Sequence, residues 1–99
     1  MKKKAIVIGT GIAGLASILR LIKKGYEVKA FESNEYTGGK ITSFKSKGYR
    51  WDMGPSLFTM PQYVNELFEL FGVNPRDHFN YKKKEILCNY FWEDGTTFS

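Results

Sequence analysis

Three glycines near the start of the chain have the spacing of a turn that binds the phosphates of a dinucleotide. They follow the apolar run from Ala5 to Ile8 and open a helical pattern. Gly9 would allow a sharp turn, Gly11 would let a pyrophosphate approach the backbone, and Gly14 would let the helix pack close to the strand. The free N–H groups and the dipole of the first helical turn would attract phosphate. The alternative is a tight strand-to-helix turn without a ligand.

A single carboxylate extends this pattern. Glu32 lies 18 residues beyond Gly14, at the end of a second apolar stretch that runs from Tyr26 to Phe31. A carboxylate at the end of the second strand can accept hydrogen bonds from the hydroxyls of an adenosine ribose, and its charge would repel a 2′-phosphate. The residue type and spacing therefore favour FAD or NAD over NADP.

A second glycine loop, Gly38-Gly39-Lys40, follows the strand that ends at Glu32. Paired glycines permit a close approach to the backbone, and Lys40 adds a cation beside them. Taken alone, the loop could belong to a hairpin. Its position after Glu32 favours a second contact to the same dinucleotide.

The elements that must hold these residues are predicted from periodicity. Residues 4–8 form a strand that is apolar at consecutive positions, as in strands buried on both faces. Ile12 to Lys24 form a helix that ends at Gly25, and Tyr26 to Phe31 form a strand parallel to the first. The buried face of the helix is predicted to contain Leu15, Ile18, Leu19 and Ile22.

The rest of the chain is predicted to contain two hairpins and a second helix. A short hairpin pairs residues 41–44 with residues 49–52, and a C-terminal hairpin turns at Asp94-Gly95 between a strand over 86–92 and one over 97–99. The second helix is capped by Thr59, with Gln62 in a capping box, and it ends at Gly72. The fold class is thus α/β: a Rossmann-like βαβ dinucleotide-binding segment followed by a helix and a C-terminal β-hairpin.

Composition limits the function classes. The 99 residues are 42 % hydrophobic and 25 % charged, which is typical of a soluble globular protein with one core. The net charge of +5 comes partly from lysine triplets at 2–4 and 82–84. Such runs are expected to be solvated ends or loops. The two triplets are far apart and Glu85 directly follows the second, so nucleic acid is not expected as a partner, and an anionic membrane surface is the better alternative. The N-terminal lysines and apolar run resemble a secretory signal, but the glycines and the absence of a cleavage site favour a cytoplasmic strand and helix.

Catalytic and metal-binding groups are scarce. Cys88 is the single cysteine and His78 the single histidine, so no intramolecular disulfide, cysteine metal cluster or serine–histidine triad is predicted. Cys88 lies in an apolar, strand-like stretch and is expected to be a buried, inert thiol. His78 is expected in a loop. No catalytic residue and no metal ligand is assigned.

Three blocks of sequence resemble the N-terminal part of the phytoene desaturase family of carotenoid desaturases, within the amine-oxidase-like flavoprotein group. They are the glycine turn with Glu32, the Gly38-Gly39-Lys40 loop, and the stretch from Gly48 to Pro61, which contains Trp51-Asp52-Met53-Gly54-Pro55-Ser56. The resemblance spans nearly all of the chain but matches only the opening fraction of a family member. Residues 1–99 are therefore expected to be the N-terminal part of an FAD-binding Rossmann-like domain in a larger two-domain flavoprotein.

This resemblance implies an FAD-dependent oxidoreductase of carotenoid biosynthesis that desaturates a polyene and associates peripherally with the membrane. The alternatives are a non-catalytic nucleotide-binding fragment, a carotenoid isomerase or oxygenase, or an amine oxidase, and NAD is the alternative cofactor. The 99-residue chain alone is expected to be inactive. The implied cofactor-binding residues are Gly9, Gly11, Ile12, Ala13 and Gly14 at the pyrophosphate, Glu32 at the ribose, Gly39 and Lys40 beside the phosphates, and Gly54, Pro55 and Ser56 towards the flavin.

Overall fold

A βαβ unit opens the chain, as the sequence predicts. The computed structural model describes residues 2–99 and forms strand β1 (Lys4–Ile8), helix α1 (Ile12–Lys23) and strand β2 (Glu27–Phe31). β1 and β2 pair in parallel, in a register that sets Ala5 opposite Val28 and Ile8 opposite Phe31. The α/β class and the parallel pairing are therefore confirmed.

Helix α1 ends where its sequence predicts. Lys24 is the C-cap, and its N–H donates to the Arg20 carbonyl at 3.1 Å. Gly25 follows with φ +92°, a conformation that favours glycine, and its N–H donates to the Ile22 carbonyl. Arg20 and Lys23 in the last turn complement the negative end of the helix dipole. Of the predicted buried face, Leu15, Ile18 and Leu19 are half-buried, whereas Ile22 is exposed.

Strand β1 is covered on one face only, so the expectation of burial on both faces is wrong. Ala5 and Val7 are half-buried, whereas Ile6 is 65 % exposed and Ile8 is 86 % exposed. A single helix packs on the two-stranded sheet, and one layer cannot cover both of its faces. For the same reason no apolar side chain in residues 2–99 is fully buried, and the single enclosed core expected from composition is not present there.

The first hairpin begins two residues later than predicted. It pairs β3 (Ser43–Ser46) with β4 (Tyr49–Asp52), and Phe44 stacks on Trp51 with ring centroids 4.9 Å apart. Lys47 and Gly48 both have positive φ, the conformation that a two-residue type I′ turn requires. Ile41, the predicted first residue of this strand, instead donates its N–H to the Gly38 carbonyl at 3.2 Å and so belongs to the glycine loop.

Helix α2 (Pro61–Glu69) begins one residue after the predicted start, because Met60 rather than Thr59 is its N-cap. Pro61 takes the first helical position, where its missing N–H costs nothing. No side chain caps this end, so the predicted capping box with Gln62 is wrong. The helix also ends earlier than predicted, although Gly72 follows with the positive φ of a C-terminal stop.

The segment after α2 packs aromatic rings against it. A 3₁₀ turn at Pro75–Asp77 leads to His78, which lies outside the helices and strands as expected. The His78 ring lies against Phe68 with centroids 5.3 Å apart. Between α1 and α2, Arg20 and Glu66 form an exposed ion pair at 3.3 Å. Within residues 2–99, neither helix combines the length and apolar character that crossing a bilayer requires.

The C-terminal hairpin is shorter than predicted. It consists of β5 (Tyr90–Phe91) and β6 (Thr97–Phe98), joined through a turn in which the Thr96 N–H donates to the Asp94 carboxylate at 2.9 Å. The strand expected over residues 86–92 is therefore mostly irregular chain. Cys88 lies in that irregular part and is exposed, so the expectation of a buried thiol is wrong. No other layer of the described chain covers this stretch, which explains its exposure.

Candidate dinucleotide-binding site

The turn between β1 and α1 is built from main-chain contacts. Gly9 extends the parallel pairing by one step, because its N–H donates to the Phe31 carbonyl at 2.8 Å. Its φ of +102° then lets the chain leave the strand sharply. Gly11 is the N-cap of α1, and the Leu15 N–H donates to its carbonyl at 2.9 Å. The strand thus passes into the helix through three residues.

Gly14 lets the helix approach the turn more closely than any other residue would. A Cβ built on Gly14 would overlap the carbonyl oxygen of Gly9 and would lie 3.8 Å from Cγ1 of Val7. The obstacle is backbone, which cannot move aside as the end of a flexible side chain can. The close packing predicted for the third glycine of the motif is therefore present.

The N-terminal end of α1 is free to attract an anion. No side chain caps it, and its first turn contains no acidic residue. The N–H groups of the first turn of a helix have no partner within the helix, and the dipole makes this end positive. Ile12, Ala13 and Gly14 of this turn line an open cleft.

The second glycine loop is hydrogen-bonded directly to the first. The Gly38 N–H donates to the Thr10 carbonyl at 2.7 Å, and Gly11 and Gly38 form an isolated parallel bridge. Gly39 has φ +62°, and a Cβ built on it would lie 3.0 Å from the Cα of Gly11. The two loops therefore meet backbone to backbone, and this contact places Lys40 beside the first turn of α1.

The turn that contains Gly54 packs on the same loop. A Cβ built on Gly54 would overlap the carbonyl oxygen of Lys40 and would lie 3.4 Å from the Cα of Ile41. The Met53 N–H also donates to the Thr42 carbonyl at 2.9 Å. These contacts bring three glycine-containing segments that are distant in the sequence to the carboxyl end of β1.

The result is a cleft of about 540 Å³ at the carboxyl end of β1. Most of the residues predicted from the sequence to bind the cofactor line it: Gly9, Gly11, Ile12, Ala13, Gly14, Gly39, Lys40 and Pro55. Gly38, Ile8 and Ile41 complete the lining. Glu32, Gly54 and Ser56 do not line it, although Gly54 supports its wall through the contact with Lys40.

Glu32 is joined to the cleft through Thr10. Its Oε1 accepts hydrogen bonds from the Thr10 N–H at 2.8 Å and from the Thr10 hydroxyl at 2.7 Å, and its Oε2 accepts one from the Asn34 N–H at 3.0 Å. The Asn34 N–H and the two Thr10 donors stabilise the carboxylate and lower the pKa of Glu32 to about 2. Glu32 is therefore a fixed anion at neutral pH.

The sequence interpretation did not single out Thr10. In the motif it stands between two glycines, and its hydroxyl group is a possible donor, but no neighbouring residue indicates that the acceptor is Glu32. Gly38 was recognised as part of the loop, but its bond to Thr10 joins two segments that are 28 positions apart and share no local pattern.

The arrangement fits the pyrophosphate and ribose of a dinucleotide. The walls of the cleft near Gly11 and Gly39 are bare backbone, the helix end supplies N–H donors, and Lys40 supplies a cation. A carboxylate with a lowered pKa, that of Glu32, is hydrogen-bonded to Thr10 within the turn. These groups can bind and orient a ligand.

Comparison with protein-family models gives the class of the chain. Residues 7–72 match the NAD(P)-binding Rossmann-like domain, and these residues include both glycine loops and Glu32. The chain belongs to the NAD(P)-binding Rossmann-like domain family. A dinucleotide cofactor is supported by this match, and the predicted Rossmann-like fold is confirmed.

Two similar proteins have the names of carotenoid-modifying enzymes. The chain is 59 % identical over 96 residues to a 1-hydroxycarotenoid 3,4-desaturase of Flavobacterium sp. (strain P99-3), which covers 97 % of this chain. It is 37 % identical over 97 residues to a 4,4′-diaponeurosporene oxygenase of Staphylococcus aureus (strain USA300), which covers 98 % of it. The resemblance to carotenoid desaturases seen in the sequence is confirmed.

The chain spans 20 % of the length of each of these two relatives. Among solved structures, it is similar to an oxidoreductase from Methanosarcina mazei, with a TM-score of 0.55 and 37 % sequence identity. That match covers 65 % of this chain and 17 % of the other. The fold similarity therefore covers about two thirds of this chain.

Proposed function

We propose that this segment holds the ADP part of FAD in an oxidoreductase that desaturates a carotenoid. The observation that carries the proposal is the cleft at the end of β1, whose walls near Gly11 and Gly39 are bare main chain beside a free helix N-terminus. The 59 % identity to a protein named as a carotenoid desaturase supports the substrate class.

The residues of the chain would have separate tasks. The N–H groups of Ile12, Ala13 and Gly14 would bind the pyrophosphate, and Lys40 would neutralise its charge. Gly11 and Gly39 would allow the close approach. Glu32 would bind the ribose of the adenosine, and Gly54, Pro55 and Ser56 would support the cleft on the side towards the flavin.

The chemistry would come from the cofactor. When bound, the flavin would accept a hydride as a C–C single bond of the polyene becomes a double bond, with loss of a proton from the adjacent carbon. The chain's own part would be to bind the adenosine end and fix its orientation. No residue in 2–99 is proposed to be catalytic.

FAD is preferred to NAD by resemblance to the carotenoid desaturases. The loop containing Gly39 and Lys40 follows the Glu32 strand, as in that family, and the cleft it borders continues to Pro55. A nicotinamide cofactor would be the alternative, since the glycine turn and Glu32 suit the ADP part of either molecule.

The test uses the protein expressed from its complete reading frame. We expect the purified protein to carry a flavin absorption spectrum and to retain FAD through gel filtration. Anaerobic incubation with a carotenoid dispersed in lipid should bleach the flavin and lengthen the conjugated system of the product, shifting its absorption to longer wavelength. A colourless protein that binds NAD but not FAD would contradict the proposed cofactor.

Oxygenation of the polyene end is a second candidate, favoured by the 37 % identity to a diaponeurosporene oxygenase. The two reactions differ in their products, because desaturation removes hydrogen whereas oxygenation adds oxygen. Mass spectrometry of the product decides between them. Incorporation of labelled oxygen from O₂ would contradict desaturation as the main reaction.

We also propose that the enzyme is cytoplasmic and binds the membrane surface, where a polyene substrate is dissolved. Lys2, Lys3 and Lys24 line an open cleft at the end of the sheet opposite the glycine turn, and together they form a basic surface. The protein should sediment with phosphatidylglycerol vesicles at low salt but not with phosphatidylcholine vesicles. Replacing these three lysines with glutamine should weaken the binding more than replacing Lys82–Lys84. Equal effects of the two triple replacements would contradict this surface.

A further inference from the structure

Thr10 is the one buried residue in the described part of the chain, with 5 % of its surface exposed. Each of its polar groups has a partner in another segment. Its N–H and its hydroxyl both donate to Oε1 of Glu32, and its carbonyl accepts from the Gly38 N–H. Thr10 therefore joins the glycine turn to the end of β2 and to the second glycine loop.

The hydrogen bonds of Glu32 are distributed unequally between its two oxygens. A carboxylate oxygen offers about two lone-pair sites, so a carboxylate can accept about four hydrogen bonds. Both sites of Oε1 are used by Thr10, at 2.8 and 2.7 Å. Oε2 accepts the Asn34 N–H at 3.0 Å, which leaves one of its sites open.

We propose that Thr10 is a positioning residue that reserves Oε1 of Glu32, so that Glu32 recognises the ribose of the bound nucleotide through one hydroxyl, at Oε2. The proposal rests on the proposed function, because it concerns the adenosine ribose of the same cofactor. It adds a residue, and a selectivity between the two ribose hydroxyls, that the glycine motif alone does not contain.

The physical consequence is a carboxylate that cannot rotate to present both oxygens. A free carboxylate on the strand end could accept the 2′- and 3′-hydroxyls together, one on each oxygen. Here the three donors from Thr10 and Asn34 fix the plane of the carboxylate before a ligand arrives, which reduces the ordering that binding must supply. One hydroxyl is then recognised strongly and the other weakly.

The first test compares ADP, 2′-deoxy-ADP and 3′-deoxy-ADP by titration calorimetry, on the protein from its complete reading frame after removal of bound nucleotide. Deleting a hydrogen bond to a charged acceptor lowers the binding affinity by about tenfold or more. We expect one analogue to bind at least about tenfold more weakly than ADP and the other to bind within about threefold. Equal losses for both analogues, or no loss for either, would overturn the proposal. If ADP itself does not bind, the proposed function fails together with it.

The second test addresses Thr10 itself through Thr10→Val, which keeps the shape and the backbone N–H but removes the hydroxyl. Thr10→Ser is the matched control, since it retains the donor. In Thr10→Val the ratio between the dissociation constants of 2′-deoxy-ADP and 3′-deoxy-ADP should fall below about threefold. Thr10→Ser should keep the wild-type ratio. A merely structural role would weaken ADP and both analogues equally and leave the ratio unchanged, and that result would overturn the proposal.

Discussion

One added methyl group should have different effects at Gly11 and Gly14, two glycines of the motif that joins β1 to α1. In Gly14→Ala the new Cβ would overlap the Gly9 carbonyl oxygen and lie 2.9 Å from the Gly9 carbonyl carbon, so the backbone must move. In Gly11→Ala the nearest atom is the Cα of Gly39 at 3.9 Å, an ordinary contact. The first variant should damage the fold, and the second should damage ligand binding.

The magnitudes follow from these contacts. Overpacking a filled site costs about 1–3 kcal/mol, and a clash with rigid backbone belongs at the upper end of that range. Alanine inside a helix recovers about 1 kcal/mol relative to glycine, which leaves a net loss of about 2 kcal/mol for Gly14→Ala. Gly11→Ala replaces a tolerated N-cap with a poor one and should cost less than about 1 kcal/mol.

Urea denaturation followed by circular dichroism measures the first effect, and titration with ADP measures the second. Gly11→Ala should lose at least about tenfold in ADP affinity, since its methyl group enters the lining of the cleft, while its unfolding midpoint stays near that of the wild type. An unchanged midpoint for Gly14→Ala would refute the packing argument. Unchanged ADP affinity for Gly11→Ala would refute the close approach of the ligand to the backbone.

Three further results are expected. Glu32→Ala should weaken ADP binding by about tenfold and reduce the discrimination against a 2′-phosphorylated nucleotide, and unchanged affinity in calorimetry would remove Glu32 from the site. Because the folded-state pKa of Glu32 is lowered to about 2, its contribution to stability is present at neutral pH and is lost as pH falls below its unfolded value of about 4.3. The stability difference between wild type and Glu32→Gln should therefore shrink over that acid range in urea titrations, and a constant difference would contradict the assigned shift. Lys40→Met should weaken ADP binding more at low salt than at high salt, whereas Lys40→Arg should retain most of it, and an effect independent of salt would show that the charge is not used.

Local patterns were sufficient for the nucleotide-binding unit. The run of apolar residues, the glycine spacing and the stop at Gly25 are set by neighbours in the sequence, so β1, α1 and β2 could be predicted closely. The turn at Lys47-Gly48 could also be predicted from its neighbours, although the strand before it begins at Ser43 and not at Ile41. Ile41 has strand-like character, but its hydrogen bond to Gly38 holds it in the loop.

Contacts between segments that are distant in the sequence could not be predicted from local patterns. Thr10 meets Glu32 across 22 positions, and nothing in the residues beside either one indicates that bond. At α2, Thr59 is the better capping residue by type, but Pro61 fixes the start of the helix and makes Met60 the cap. Exposure was also mispredicted, as at Cys88, because the burial of an apolar stretch depends on the layers that pack against it.

The contact between the two glycine loops gives the site an unusual mutational response. Gly11 and Gly39 meet through main-chain atoms, which are the same in every residue type, and a substitution there can only add atoms to the interface. Side-chain variation around the cleft, as at Ile12 or Lys40, should change the affinity for a nucleotide gradually. Variation at Gly39 instead acts as a threshold, since the Cβ of even an alanine there would lie 3.0 Å from the Cα of Gly11. In a library of variants scored for nucleotide retention, substitutions at Ile12 or Lys40 should therefore give a continuous range of retention. Substitutions at Gly39 should give either full retention or none.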